Sequence, residues 1–184
     1  MADGSDAVES WARSFMSKRI VVMGVSGVGK SSVGSVLADL LKARFVDADS
    51  LHPSANVQKM AGGIPLTDED RWPWLRGVGR TLASASSEGI VVACSALRRA
   101  YRDEIRRQEP ATLFILLQAD GTMLRERLTQ RPGHFMPASL LDSQLETLEP
   151  REPDQAGLTV ATEGGIDATA RETFHRLTTP RFKA

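Results

Sequence analysis

The sequence has a single cysteine, Cys94, and this scarcity excludes two kinds of site. One thiol cannot form an intrachain disulfide, and it cannot supply a metal site built from paired cysteines. Long apolar runs are also missing, since none approaches the roughly 20 residues that a membrane-spanning helix needs. The N-terminal residues carry charges where a secretory signal peptide would be apolar. We therefore expect a cytoplasmic protein.

The chain also lacks an excess of either charge, with 23 basic and 23 acidic side chains. This balance provides no overall field that favours nucleic acid or an anionic membrane surface. We expect no nucleic-acid partner and no membrane partner. A small anion would have to be bound by a local group of residues.

Length and composition favour one domain. The 184 residues, 41% of them hydrophobic, are enough for one substantial core and short for two. We expect this domain to span residues 18–177, with flexible tails at residues 1–17 and 178–184.

Strand patterns alternate with helix patterns along this domain. Five apolar or β-branched runs predict strands: Ile20–Met23, Arg44–Val46, Ile90–Cys94, Leu113–Leu117 and Leu158–Ala161. Apolar residues at helical spacing predict helices over Ser31–Lys42 and Gly121–Gln130. Near-continuous apolar strands separated by helices are typical of a parallel sheet covered on both faces. The sequence therefore predicts an α/β doubly wound fold, with three layers and a five-stranded sheet.

The segment GVSGVGKSS at residues 24–32 follows the first predicted strand and precedes the first predicted helix. Gly24, Gly29, Lys30 and Ser31 satisfy the pattern G-x-x-x-x-G-K-[ST] in the context that makes it meaningful. Glycines let backbone N–H groups surround phosphate oxygens, and the positive end of the helix faces the same anion. We expect the whole loop to bind ATP: Gly24, Val25, Ser26, Gly27, Val28, Gly29, Lys30, Ser31 and Ser32. Lys30 would reach the β and γ phosphates, and the Ser31 hydroxyl would ligate Mg²⁺.

Phosphate binding alone does not choose among a kinase, a GTPase switch and a motor. The N-K-x-D guanine reader of GTPases is absent from the sequence. Transporter and helicase ATPases normally have a longer core with additional motifs. A small-molecule kinase fits best at this length.

Asp47 and Asp49 lie at the end of the second predicted strand. Ligands of parallel sheets collect beyond the carboxyl ends of the strands, so both carboxylates should face the crevice of the phosphate loop. Alternation along an extended chain would put them on the same side. One could hold a Mg²⁺ water and the other could accept a hydrogen bond from a substrate hydroxyl, or both could cap the next helix.

Six phrases together resemble the gluconokinase family of small P-loop kinases: MGVSGVGKSS, DADSLHP, NVQKMAGGIPLTDEDRWPWL, VVACSALRRAYRD, RPGHFMP and SQLETLEP. The similarity covers roughly residues 18–165. It implies transfer of the γ-phosphoryl group of ATP to the 6-hydroxyl of D-gluconate, on a fold similar to shikimate and adenylate kinases with a helical lid. The product would feed the pentose phosphate pathway. Similar enzymes are often homodimers, but no residue pattern here indicates an interface.

Related metabolite kinases imply that Asp49 orients the attacking hydroxyl and that Asp47 holds Mg²⁺ through water. Gluconate carries a carboxylate, which an arginine fork binds better than lysine does, so we expect Arg71 to meet it. An ion pair with Asp70 is the alternative for Arg71. Further candidate substrate contacts are His52, Lys59 and Ser95.

A lid is expected at about residues 125–140, because Pro132 and Gly133 break an arginine-rich helix. Arg131 is the first candidate for a cation on the transferring phosphoryl group, and Arg127 is the second, as an ATP contact. His134 is a candidate for ordering the lid and contacting substrate. A solvated helix end is the alternative for these arginines.

Several nearby residues favour structural roles. Trp72 and Trp74 are expected in the core, and Cys94 is expected to be a buried apolar residue and not a nucleophile. Most arginines between Arg98 and Arg107 are expected to face solvent, with Arg98 and Arg102 as weak candidates for the site. Two other functions stay open: a kinase of the shikimate type, and a nucleotide-binding protein without turnover.

Overall fold

The structure, a computed structural model, describes residues 18–85, 87–129 and 138–179. Five parallel strands form one sheet in the order β2-β3-β1-β4-β5. The strands are β1 (Arg19–Met23), β2 (Arg44–Asp47), β3 (Ile90–Ala93), β4 (Thr112–Gln118) and β5 (Gly157–Ala161). The prediction of a five-stranded parallel sheet is confirmed, and each predicted strand lies within two residues of its observed bounds.

Seven α-helices connect or flank these strands in the described residues. They are α1 (Lys30–Leu41), α2 (Ser54–Ala61), α3 (Asp68–Ala83), α4 (Arg99–Gln108), α5 (Gly121–Thr129), α6 (Ala138–Thr147) and α7 (Gly165–Thr178). A 3-10 turn at Ala48–Leu51 follows β2. Among the described helices, none is long and apolar enough to cross a membrane.

The sheet is buried on both faces, which explains why its strands are apolar throughout. In β1, Ile20 and Val22 pack into one core with residues of α1 and α7. Val21 and Met23 point the other way, because successive strand residues alternate between faces, and pack with residues of α3 and α4. The three layers predicted from the sequence are therefore present.

The strand order brings several chain segments to one edge of the sheet. β1 has β3 on one side and β4 on the other, and β2 lies beyond β3. All strands are parallel, so the segments that leave β1, β2 and β3 at their carboxyl ends meet at the same edge. The phosphate loop, the Asp47–Asp49 turn and Ser95 are those segments.

Candidate active site

A crevice of about 1080 Å³ opens at this edge. The loop of residues 26–33 forms one wall, and Asp47, Asp49 and His52 form another. Arg127, Gln144 and Thr162 line it from the helices that follow β4 and from the end of β5. The crevice is large enough for a nucleotide together with a small second substrate.

The phosphate loop depends on glycine at two positions. Gly24 has φ 140°, and a Cβ atom added there would lie 2.8 Å from the Leu117 carbonyl oxygen. Its N–H donates to the Ser95 carbonyl oxygen at 3.3 Å, so Gly24 shapes the loop and does not line the crevice. Gly29 has φ 98°, in the left-handed region, and gives the turn into α1.

Helix α1 begins without a side-chain cap, and its first turn contains no acidic residue. The N–H groups at the start of a helix need an acceptor, and an anion satisfies both these donors and the helix dipole. Lys30 lies in this first turn, and its Nζ donates to the Val25 carbonyl oxygen at 3.0 Å. This helix start is therefore suited to bind phosphate, as the loop motif predicts.

Ser31 and Asp47 both line the crevice and are in direct contact. The Ser31 hydroxyl donates to Asp47 Oδ2 at 2.6 Å. Asp47 Oδ1 accepts the Asp49 N–H at 3.1 Å, so Asp47 also caps the 3-10 turn after β2. Asp47 therefore has the capping role that was considered for it, and it lies beside the phosphate loop, where its Mg²⁺ role stays a prediction.

Asp49 is exposed and lines the same crevice as Asp47. The reason given from the sequence was wrong, because the chain is not extended here. Asp49 lies in the 3-10 turn, and it is this turn that brings the second carboxylate back toward the crevice. The predicted pair of acids is present, but it comes from a turn and not from strand alternation.

His52 stacks on Trp74, with ring centroids 4.2 Å apart and an angle of 13° between the rings. Trp74 is buried, and its indole N–H donates to the Ala48 carbonyl oxygen at 2.8 Å, which confirms its structural role. Burial against this ring lowers the pKa of His52, while nearby Asp49 acts in the opposite direction. His52 therefore presents a neutral imidazole to the crevice near neutral pH.

Arg71 lines the crevice, and its partner is Asp68 and not Asp70. Its Nη1 lies 3.4 Å from Asp68 Oδ1 and donates to the Tyr101 hydroxyl at 3.3 Å. Tyr101 donates to the same Asp68 oxygen at 2.6 Å, and Arg98 Nη1 donates to Asp68 Oδ2 at 2.9 Å. The Tyr101 hydrogen bond is the main cause that lowers the pKa of Asp68, with both arginines adding to it. The guanidinium groups of Arg71 and Arg98 thus converge on Asp68.

The structure does not bring Lys59 to the crevice wall. Lys59 Nζ lies 2.6 and 2.8 Å from the two Asp70 oxygens. Asp70 also completes a capping box with Thr67 at the start of α3. Lys59 thereby ties α2 to the helix that carries Arg71, and its role as a substrate contact stays a prediction.

The end of β3 places Ser95 on the crevice wall next to the phosphate loop. Cys94 is buried, and burial raises the pKa of its thiol to about 12. A thiol that stays protonated is a poor nucleophile, which agrees with the structural role predicted for it.

Arg127 lines the crevice from the end of α5. Its Nη1 and Nη2 groups donate to the Thr162 hydroxyl and carbonyl oxygens at 3.2 and 3.0 Å. The other two candidates of the lid, Arg131 and His134, lie outside the described residues, as does half of the predicted lid.

Comparisons with known proteins agree with this geometry. A family model for shikimate kinase matches residues 26–176. The thermosensitive gluconokinase of Escherichia coli (strain K12) is 45% identical over 138 residues, which cover 73% of each chain. The gluconokinase of Gluconobacter oxydans (strain 621H) is 44% identical over 155 residues, 83% of this chain and 87% of that one. The chain belongs to the gluconokinase family.

Solved structures of other kinases are also similar to this gluconokinase-family chain. The crystal structure of a gluconokinase from Sinorhizobium meliloti 1021 is similar, with a TM-score of 0.80, 47% identity, and coverage of 89% of this chain and 92% of that one. A shikimate kinase from Acinetobacter baumannii has a TM-score of 0.61 at 20% identity, covers 94% and 99% of the two chains, and shows a shared fold only. The chain is thus an ATP-dependent kinase with an alcohol acceptor, and the shikimate alternative is not favoured.

Most arginines between Arg98 and Arg107 are exposed or partly exposed, as expected, and Arg102 is the exception. Arg102 is fully buried and does not face solvent. Its guanidinium donates to the carbonyl oxygens of Ala96, Leu97, Glu149 and Pro150 at 3.1 to 3.2 Å, and to Gln155 Oε1 at 3.1 Å. Arg102 thus joins the loop after β3 to the segment that follows α6, and it does not line the crevice.

Gln144 on α6 is a crevice residue that sequence reasoning missed. The phrase SQLETLEP helped to identify the family, but no role was assigned to this amide. Leu141, Leu145 and Leu148 are spaced as one apolar helix face. Gln144 lies three residues after Leu141, so this spacing could have indicated that its side chain turns toward the protein.

Proposed function

We propose that this chain transfers the γ-phosphoryl group of ATP to the 6-hydroxyl of D-gluconate, giving 6-phospho-D-gluconate and ADP. One observation carries the proposal: the phosphate loop, two carboxylates and Arg71 line a single crevice. Phosphoryl transfer needs cations at the phosphates and a group that orients the attacking hydroxyl, and these residues are of the required types.

The donor side consists of the loop, Lys30 and the start of α1. Loop N–H groups and the uncapped helix start bind phosphate oxygens, and the Lys30 ammonium balances charge on the β and γ phosphates. Arg127 adds a further cation at the wall of the crevice. Arg131 would bring charge onto the transferring phosphoryl group, and this role stays a prediction.

Mg²⁺ fits the donor set near Ser31. The Ser31 hydroxyl and the Asp47 carboxylate are oxygen ligands, which Mg²⁺ prefers, and they lie within 2.6 Å of each other. Ser31 would ligate the ion, and Asp47 would hold one of its water molecules. When bound, the ion neutralises charge on the phosphate oxygens.

On the acceptor side, Asp49 accepts a hydrogen bond from the 6-hydroxyl of gluconate and takes its proton as the bond to the γ phosphorus forms. The bond from that phosphorus to the bridging oxygen breaks, and ADP leaves with this oxygen. Arg71 binds the substrate carboxylate, while Asp68 and Tyr101 hold the guanidinium in place. His52, as a neutral imidazole, and Ser95 offer hydrogen bonds to the hydroxyl groups between these ends.

A coupled assay of ADP release, with ATP and Mg²⁺ and with D-gluconate or shikimate, tests this function. We expect release that depends on gluconate, and a product whose phosphate is assigned to the 6-position by NMR. ATP binding without gluconate-dependent release would contradict the proposal. We further propose that the reaction takes place in the cytoplasm and supplies the pentose phosphate pathway.

A further inference from the structure

Gln144 on α6 lines the crevice and contacts the phosphate loop directly. Its Oε1 accepts the backbone N–H of Ser26 at 2.7 Å, although the two residues are 118 positions apart in the sequence. This is a short hydrogen bond for an amide donor. A side chain of α6 therefore fixes one peptide group of the loop.

This peptide group joins Val25 to Ser26, and Lys30 donates to its carbonyl oxygen. The Val25 carbonyl oxygen accepts from Lys30 Nζ at 3.0 Å. No peptide bond of the described residues is cis, so this C=O and the following N–H point in opposite directions. Gln144 and Lys30 thus hold one peptide plane from its two sides. The Val28 N–H also donates to the Val25 carbonyl oxygen, at 3.4 Å, so a rotation of this plane would break these hydrogen bonds together.

Helix α6 is firmly anchored where it delivers Gln144. Leu141 is fully buried in the core that includes α1, and Leu148 packs against both cores. Beyond the helix, Glu149 N–H donates to the Leu97 carbonyl oxygen at 2.9 Å, and its carboxylate accepts the Arg99 N–H at the start of α4. A functional side chain on a fixed helix is held more precisely than one on a loop.

The choice of glutamine has a chemical reason. An acceptor for the Ser26 N–H could be an amide or a carboxylate of the same length. A carboxylate would place a negative charge beside a loop whose ligand is itself anionic, and like charges in a partly buried site repel strongly. The amide accepts the same hydrogen bond without that charge.

We propose that Gln144 is a positioning residue that preorganises the phosphate loop. Its Oε1 holds the Val25–Ser26 peptide in the orientation that nucleotide binding requires, and its neutrality keeps the cradle open to phosphate. This inference rests on the proposed function, because it assumes that the loop binds ATP. Without the hydrogen bond, the loop visits other orientations, and the nucleotide must select the competent one.

Two variants separate the hydrogen bond from the charge. Gln144→Met removes the acceptor at similar length, and Gln144→Glu keeps the acceptor and adds the charge. Ser143→Glu is the matched control, because it adds the same charge at the exposed neighbouring position. Calorimetry without gluconate gives Kd for ADP and for a non-hydrolysable ATP analogue, at low and high salt, and thermal unfolding reports whether each variant folds.

For Gln144→Met we expect Kd to rise about 10-fold for both nucleotides, independently of salt, with kcat at saturating ATP within about 3-fold of the unsubstituted chain. For Gln144→Glu we expect Kd to rise more for the ATP analogue than for ADP, with a difference that shrinks at high salt. Ser143→Glu should bind both nucleotides normally.

Normal nucleotide affinity in Gln144→Met would overturn the inference. So would equal, salt-independent losses in both Gln144 variants, since these would show a packing role for the side chain. A lower Tm with unchanged Kd would also count against it. If the unsubstituted chain bound both nucleotides but failed to phosphorylate gluconate, the proposed function would fail, while the Kd comparison would still decide the role of Gln144.

Discussion

The Ser31 hydroxyl donates to Asp47 Oδ2 at 2.6 Å, so the first turn of α1 and the last residue of β2 are joined by one hydrogen bond. Two oxygen groups are thereby held together beside the phosphate loop, where we propose that they hold Mg²⁺. This relationship is the basis of the first prediction.

Asp47→Asn should lower activity about 10- to 100-fold and raise the Mg²⁺ concentration needed for half-maximal rate, since an amide holds a metal-bound water less well than a carboxylate. A Mg²⁺ titration of the initial rate measures this. Asp39→Asn, at an exposed position on α1, is the control and should show the same Mg²⁺ dependence of the rate as the unsubstituted chain. An unchanged Mg²⁺ dependence in Asp47→Asn would contradict the assignment.

Asp49→Asn should reduce kcat about 10²- to 10⁴-fold, the usual contribution of a general base, with KM for gluconate changed only slightly. Steady-state kinetics with gluconate varied at saturating ATP separates the two constants. Glu69→Gln removes an exposed acid of α3 outside the crevice and should leave both unchanged. Full turnover in Asp49→Asn would show that another group orients the hydroxyl.

Arg71→Lys should raise KM for gluconate about 10-fold or more, because lysine cannot form the bidentate contact with a carboxylate. KM for ATP should stay within about twofold, since the donor phosphates are bound by the loop. Arg76→Lys is the matched control on the same helix, where Arg76 pairs with Glu104. Equal increases in both KM values would indicate a general disturbance of α3.

The histidine that stacks on Trp74 predicts a pH effect on stability. The folded state lowers the pKa of His52, so below its ordinary value of about 6.5 the unfolded chain binds a proton that the folded chain does not. The free energy of unfolding therefore falls as the pH drops through about 6.5 toward the lower pKa of His52 in the folded state. At higher pH, His52 makes no such pH-dependent contribution.

His52→Phe keeps an aromatic ring on Trp74 and removes the titration. Its Tm should fall less than that of the unsubstituted chain between about pH 7.5 and pH 5.5. His175→Gln, at an exposed position of α7, serves as the control and should follow the unsubstituted chain. Identical pH profiles for His52→Phe and the unsubstituted chain would refute the prediction.

Arg102→Met should lower the free energy of unfolding by about 3 kcal/mol, because four backbone carbonyl groups lose a charged donor inside the protein. Denaturant unfolding measures this loss. Arg106→Met, at a partly exposed position of the same helix, should change stability by less than about 0.5 kcal/mol. Equal effects of the two substitutions would show that the buried hydrogen bonds contribute little.

The strands and the phosphate loop could be predicted because their signals are local. β1 is a continuous apolar run, and the loop motif fixes its glycines, Lys30 and Ser31 within a few positions. The turn that presents Asp49 could not be distinguished from an extended chain, because Asp47 itself caps it through a side-chain contact that no spacing reveals.

Contacts between segments that are far apart in the sequence could not be predicted from it. The partners of Arg102 include carbonyl oxygens some 47 and 48 positions away, so the charged helix pattern did not reveal that this weak candidate for the site is buried. Its position three residues before the buried Ile105 was the available clue. An ion pair with Asp70 was the alternative considered for Arg71, but Lys59 contacts both oxygens of that acid and Arg71 pairs with Asp68.

The chain segment between β2 and the body of α3 has a consequence for how this enzyme type can change its acceptor over evolution. The segment from Asp49 to Arg71 is continuous in the sequence between β2 and the body of α3, and it faces the phosphate loop across the open crevice. Substitutions within it can therefore alter the acceptor while the ATP cradle stays intact. A new sugar-acid specificity is accessible through about two dozen contiguous codons.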